Sequence, residues 1–295
     1  MLASVTALSF APAMYRNRSE WRPLFPHPNV ELETADVLAG YADRFNAAFD
    51  ALAGRITEVA PDRVVVLTAD DGRLFTPVQV PQFCTFLGSS IWGDAAVDGG
   101  NPDVVELTCD ETLAAFVHQE LIAAEFDMNY MREFRALGKP EWGAPASLVE
   151  PIRRLGLGDT PVLPLFVNAH VDPASSGQRC YDFGATLADV LGARDERVAI
   201  IASGGLSRHH DGPRAGWVDE PLDRWLLDRI RRGDGWDLGS LYDLESDTLS
   251  GGAAEMRLWA IAAGAAEAEG ARATVLDYVP WYTGAAGVAF AHWSA

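Results

Sequence analysis

Short apolar runs rich in β-branched residues alternate along this chain with longer stretches in which apolar residues recur every three or four positions. The runs Ser4–Phe10, Arg63–Thr68, Val162–Val167, Val198–Ala202 and Gly287–Phe290 read as buried strands. Within Ala35–Val59, the residues Val37, Tyr41, Phe45, Phe49 and Leu52 mark one face of an amphipathic helix. Asp110–Glu125, Ala185–Leu191, Pro221–Arg231 and Ala253–Glu269 read as further helices. Strands alternating with covering helices predict an α/β fold with a mixed β-sheet core flanked by helices. The stretches Pro77–Pro102 and Lys139–Pro145 carry Pro and Gly without a sustained period and read as long loops. Loops of that length commonly cover or line a site. No repeat, linker or low-complexity segment divides the sequence, so a single domain over residues 1–295 is expected.

Composition narrows the partners more than the fold. The 295 residues are 48% hydrophobic, enough for one large core, and carry a formal net charge of −19. Such an acidic surface repels phosphate backbones, and no basic tract offsets it, so nucleic acid is excluded as a partner. Cys84, Cys109 and Cys180 are scattered, with no C-x-x-C pair, and read as core thiols of a reducing compartment. The apolar stretch Val5–Met14 is too short to span a bilayer and lacks a basic flank. No membrane association and a cytoplasmic location are the expectation.

The densest chemistry lies in Ile200–Gly216, IIASGGLSRHHDGPRAG. A strand runs into Ser203-Gly204-Gly205, where the backbone can turn sharply and a ligand can come close. Ser207, Arg208, His209, His210 and Asp211 follow at a strand's carboxyl end, which is where open α/β sheets bind ligands. Two weaker clusters stand elsewhere. Glu125-Phe126-Asp127-Met128 ends a helical run, and Glu255 sits near a helix N-terminus, where the dipole favours a carboxylate with or without a function.

Taken in order, these segments resemble the class III extradiol ring-cleavage dioxygenases, in particular those of the protocatechuate 4,5-dioxygenase catalytic β-subunit type. The resemblance is carried by Ser9–Met14, Val64–Asp71, Glu125–Met128, Ser176–Cys180, Ser203–Ser207 with Gly212–Gly216, and Gly251–Trp259. Members of that family hold Fe(II) through two histidines and a glutamate, leaving positions open for catechol and dioxygen. The family's first histidine position corresponds to Phe10, and the second to Gly72 after Asp70-Asp71. Only the glutamate position is kept, as Glu255, and the family's acid/base histidine after Gly-Gly-x-Ser corresponds to Arg208. A phenyl ring offers no lone pair and a lone carboxylate does not hold Fe(II), so no iron cofactor is expected. Among His27, His118, His170, His209, His210 and His292 there is no i, i+4 pair from which a metal site would be rebuilt.

A pocket that outlives its metal has two readings. In the first, the chain is a metal-independent enzyme acting on a small hydroxylated aromatic acid or its ring-cleavage product by hydrolysis, decarboxylation, hydration or carbon–carbon lysis. Arg208 then clamps a carboxylate or phenolate, His209 or His210 serves as general acid/base, and Glu255 is a second one with its carboxyl pushed up by the apolar neighbourhood of Phe10. Phe10, Gly72, Ser207, Asp71 and Asp127 complete the expected substrate-binding set. In the second reading, the chain is the non-catalytic partner subunit of a homologous iron-bearing one. The family implies a homo- or hetero-oligomer. The aromatic tail from Tyr278 to Trp293 reads either as a contact surface or as the packing of a last strand.

Overall fold

A computed structural model describes residues 1–95, 103–210, 212–243, 249 and 252–294. The end of the long-loop stretch at 96–102, Asp211 and Gly251 lie outside the described residues.

The architecture is the expected mixed sheet with helices on both faces. Eight strands, β1 (Leu2–Leu8), β2 (Arg63–Ala69), β3 (Phe83–Phe86), β6 (Met128–Met131), β7 (Val162–Val167), β8 (Val198–Ser203), β9 (Arg272–Trp281) and β10 (Ala286–Ser294), lie in the order β6-β3-β7-β2-β8-β1-β10-β9. A separate ribbon pairs β4 (Ser90–Ala95) with β5 (Asp103–Thr108). The four central strands β7, β2, β8 and β1 are parallel, and β10 and β9 extend the sheet in antiparallel fashion.

Side-chain alternation on the central strands sorts the helices. Val64 and Val66 of β2 face α1 (Ala35–Val59) and α3 (Ala146–Arg154), whose Phe45, Phe49, Leu148 and Ile152 share one core. Val65 and Leu67 face the opposite core, built with α2 (Glu111–Ala123), α4 (Gly177–Gly192), α5 (Glu220–Arg232) and α6 (Met256–Ala268). Burial on both faces explains why the central strands read as continuous apolar runs. Of the two readings of the aromatic tail, packing is the one observed, since Trp281 and Trp293 are fully buried within β9 and β10.

Register decides where the chemistry emerges. Ser203 of β8 stands level with Leu8 of β1 and with Thr68 of β2, and Thr68 stands level with Phe166 of β7. All four strands therefore end together, and the residues that follow them (Phe10, Asp70 to Gly72, Asn168 to His170, and Gly204 to Arg208) leave the sheet at one edge.

Candidate functional site

At that edge a cavity of about 410 Å3 is lined by Asp70, Asp71, Gly72, Asn168, His170, Leu206, Arg208, His210, Gly252 and Glu255, with Phe75, Pro77, Val80, Pro81, Val167 and Val171 among its apolar walls. Glu255 stands at the N-cap position of α6, its side chain turned away from the helix's own N–H groups and making no capping hydrogen bond. One carboxylate oxygen accepts from the Gly205 backbone N–H, and the other lies 3.0 Å from His170 Nε2. Arg208 Nη1 stands 4.0 Å from that second oxygen.

The glycines at 204 and 205 leave room for this approach. A Cβ on Gly204 would overlap Leu258, and one on Gly205 would stand 3.3 Å from the Glu255 carboxylate. Arg208 is held from several directions. Its backbone N–H donates to the Gly252 carbonyl, Nη1 donates to the Phe10 carbonyl at 3.3 Å, and Nε donates to His210 Nε2.

The electrostatics of Glu255 correct the expectation of a raised carboxyl. Burial pushes it up, but the hydrogen bond and charge of His170, the Arg208 guanidinium and the Gly205 N–H together bring it down to about 2. Burial also depresses His170, and the Glu255 bond and charge outweigh that, so its imidazole is raised above the usual histidine value.

Other expected residues lie elsewhere. His209 is not a cavity residue: its ring is buried against Gly252, where a Cβ would overlap it. Ser207 is turned away to the rear, donating from Oγ to Asp223 at 2.8 Å and accepting from the Asp219 N–H at 2.8 Å. Asp127 is 89% exposed and pairs with Arg179 at 3.0 Å, away from the cavity. Phe10 approaches only through its carbonyl and through its ring, 6.0 Å from the Arg208 guanidinium carbon. Gly72 and Asp71 do line the cavity, on a turn that the Asp70 carboxylate ties by accepting from the backbone N–H groups of Arg73, Leu74 and Phe75. The cavity residue that the sequence did not single out is His170. It follows the β7 run by three positions, the same strand-end signal that drew attention to Arg208.

Comparison with known proteins bears on the whole arrangement. Residues 27–291 match the family described as the catalytic LigB subunit of aromatic ring-opening dioxygenase. Gallate dioxygenase of Pseudomonas putida is 31% identical over 198 residues, covering 65% of this chain and 56% of that protein. The 2,3-dihydroxyphenylpropionate/2,3-dihydroxicinnamic acid 1,2-dioxygenase of Mycobacterium sp. (strain MCS) is 29% identical over 184 residues, 60% of this chain and 52% of that one. The chain thus matches little more than half the length of these curated relatives. A solved structure of an uncharacterized protein from Escherichia coli K12 superposes with a TM-score of 0.57 at 14% identity, covering 98% of this chain and 99% of that one, a likeness of fold. With nearly its entire length matched, the chain belongs to the LigB family, the class III extradiol dioxygenases.

Proposed function

We propose that this family member works without iron, as an acid/base enzyme acting on a small hydroxylated aromatic acid or its ring-cleavage product. The observation that carries the reading is the 3.0 Å contact between His170 Nε2 and Glu255 Oε1 in the wall of the cavity. The donor set does not fit Fe(II). The sequence resemblance puts Phe10 and Gly72 at the family's histidine positions, both Glu255 oxygens have N–H partners, and the Arg208 cation is 4.0 Å from the carboxylate. Among the described residues no group of three or more His, Cys, Asp or Glu is placed to hold a metal ion.

What the residues do follows from their charges. Glu255 is ionised and accepts from His170 Nε2–H, which leaves Nδ1 of the neutral imidazole free to take a proton. The imidazolium that forms is stabilised by the carboxylate beside it, the role an aspartate plays toward histidine in a Ser-His-Asp triad. Arg208 supplies a charge-assisted clamp for a substrate carboxylate or phenolate, and the apolar walls hold a ring or an unsaturated chain. The set suits proton abstraction leading to hydrolysis, decarboxylation, hydration or carbon–carbon lysis.

The test is turnover by chelator-treated protein, under anaerobic conditions, of dihydroxybenzoates and their ring-opened products. Turnover that persists without metal and disappears in His170→Gln is the expected result. Stoichiometric iron with oxygen uptake on a catechol would overturn the reading. So would an inert chain that becomes active only beside an iron-bearing homologue, the behaviour of a partner subunit.

A further inference from the structure

The loop that carries His170 and the helix start that carries Glu255 are 85 residues apart in sequence, and one buried side chain reaches both. Arg257, in the first turn of α6, is 5% exposed. Its Nε donates to the Ser175 carbonyl at 2.6 Å, and its Nη1 donates to the Ala254 carbonyl at 3.2 Å and, at 3.5 Å, to the Ala169 carbonyl. Ala169 and Ala254 are the residues immediately before His170 and Glu255. The guanidinium carbon stands 3.6 Å from the centre of the Tyr242 ring, whose hydroxyl donates to the Ala253 carbonyl at 2.7 Å. A planar fork clamped on an aromatic face, with its donors aimed at fixed carbonyls, has little freedom to re-aim.

We propose that Arg257 is a positioning residue that sets the distance between His170 and Glu255 by tying together the two backbone segments that bear them. The proposal rests on the reading of that pair as the working acid/base. At the other side of the loop, the Asn168 side chain closes on Val171, donating to its carbonyl at 2.6 Å and accepting from its N–H at 3.0 Å. His170 is therefore held between two anchors, and only Arg257 also reaches the Glu255 segment. A lysine at 257 keeps the charge but gathers its three donors on one freely rotating nitrogen in place of a planar fork, so it does not reproduce the separate Nε contact to Ser175 and Nη1 contacts to Ala169 and Ala254.

The test uses the full chain and the imidazole 15N signals of His170, assigned by their loss in His170→Gln. The parent protein shows a hydrogen-bonded Nε2. In Arg257→Lys that signal moves toward its solvent-exposed position while circular dichroism is unchanged. On a substrate that the parent turns over, kcat falls roughly ten- to hundredfold, the scale expected of an ångström-level misplacement. KM moves far less, because Arg208 is untouched. Tyr242→Leu, which removes the aromatic face and keeps the arginine, shifts the same signal in the same direction and serves if Arg257→Lys does not fold. A folded Arg257→Lys or Tyr242→Leu with the parent's His170 signal overturns the proposal. A parent protein with no hydrogen-bonded Nε2 overturns instead the reading of the pair, whatever either variant does.

Discussion

His170 and Glu255 set each other's protonation, and replacing either has consequences that differ in kind. On the proposed acid/base reading, His170→Gln removes the proton acceptor, and kcat is expected to fall by about 10²- to 10⁴-fold, the usual contribution of a positioned general base. Glu255→Gln leaves the imidazole in place but removes the carboxylate charge that raises it, leaving at most a neutral amide acceptor, while burial and Arg208 continue to lower it. The acidic limb of the kcat profile, which follows His170 losing its proton, is therefore expected at lower pH in Glu255→Gln than in the parent. An unmoved limb would separate the titrating group from His170. Arg208→Ala is expected to raise KM by roughly ten- to hundredfold, from the ~1.5–3 kcal/mol of a hydrogen bond to a charged group, as steady-state kinetics would show. At this scale the sequence yielded Glu255, Arg208 and His210 through motif and strand-end position. It pointed to Ser207 and His209 as well, because adjacency in sequence cannot say that one side chain turns back onto Asp223 and another packs on Gly252. His170 stayed hidden because its partner is remote in the chain.

Elements were legible where they carry a long periodic face or a fully buried run. The helix Ala35–Val59 has its expected bounds, and the central strands have the expected cores. The short strands β3 and β4 lie inside what reads as a loop, because four to six residues flanked by Pro and Gly give no period to detect. Helix α3 was missed for a related reason: Pro145 precedes it and Pro151 lies inside it. The backbone hydrogen bond that Pro151 cannot make is offset by burying Leu148, Val149 and Ile152 completely. Ala185–Leu191 is only the end of α4, which begins at Gly177 and packs closely against α6 at Gly184. That contact predicts its own sensitivity. A Cβ on Gly264 would overlap the Tyr181 carbonyl, and one on Gly184 the Ile261 carbonyl, backbone atoms that cannot swing aside. Gly264→Ala raises helix propensity by up to ~1 kcal/mol yet is expected to destabilise the protein by about 1–3 kcal/mol, measured as a lower denaturant midpoint. Gly54, which has nothing near its missing Cβ in α1, provides the opposite case: Gly54→Ala is expected to raise that midpoint.

For the whole molecule, stability against pH joins the acidic composition to one buried carboxyl. Asp223 of α5 accepts from the Ser207 N–H at 2.7 Å, the Ser207 hydroxyl at 2.8 Å and the Tyr278 hydroxyl at 2.8 Å, so it joins the loop after β8 to α5 and β9. Gly287 of β10 leaves the space it fills. Burial pushes this carboxyl up to about 7, against the pull of those three donors. A carboxyl raised in the folded state keeps its proton where the unfolded chain has already released one. Folding stability therefore falls as pH rises from the unfolded carboxylate value near 4 to about 7, and the loss levels off above that. At ~1.4 kcal/mol per pH unit of displacement, the loss is of the order of a few kcal/mol. Repulsion within a surface of net charge −19 also grows as carboxylates ionise, so a falling curve in the parent would not by itself identify Asp223. Asp223→Asn distinguishes them, because its amide can accept from the Ser207 N–H and donate to a hydroxyl, much as the protonated acid does, but cannot titrate. Chemical denaturation of both proteins from pH 4 to pH 8 is expected to show a shallower decline in Asp223→Asn. Parallel curves would assign the decline to the surface charge alone.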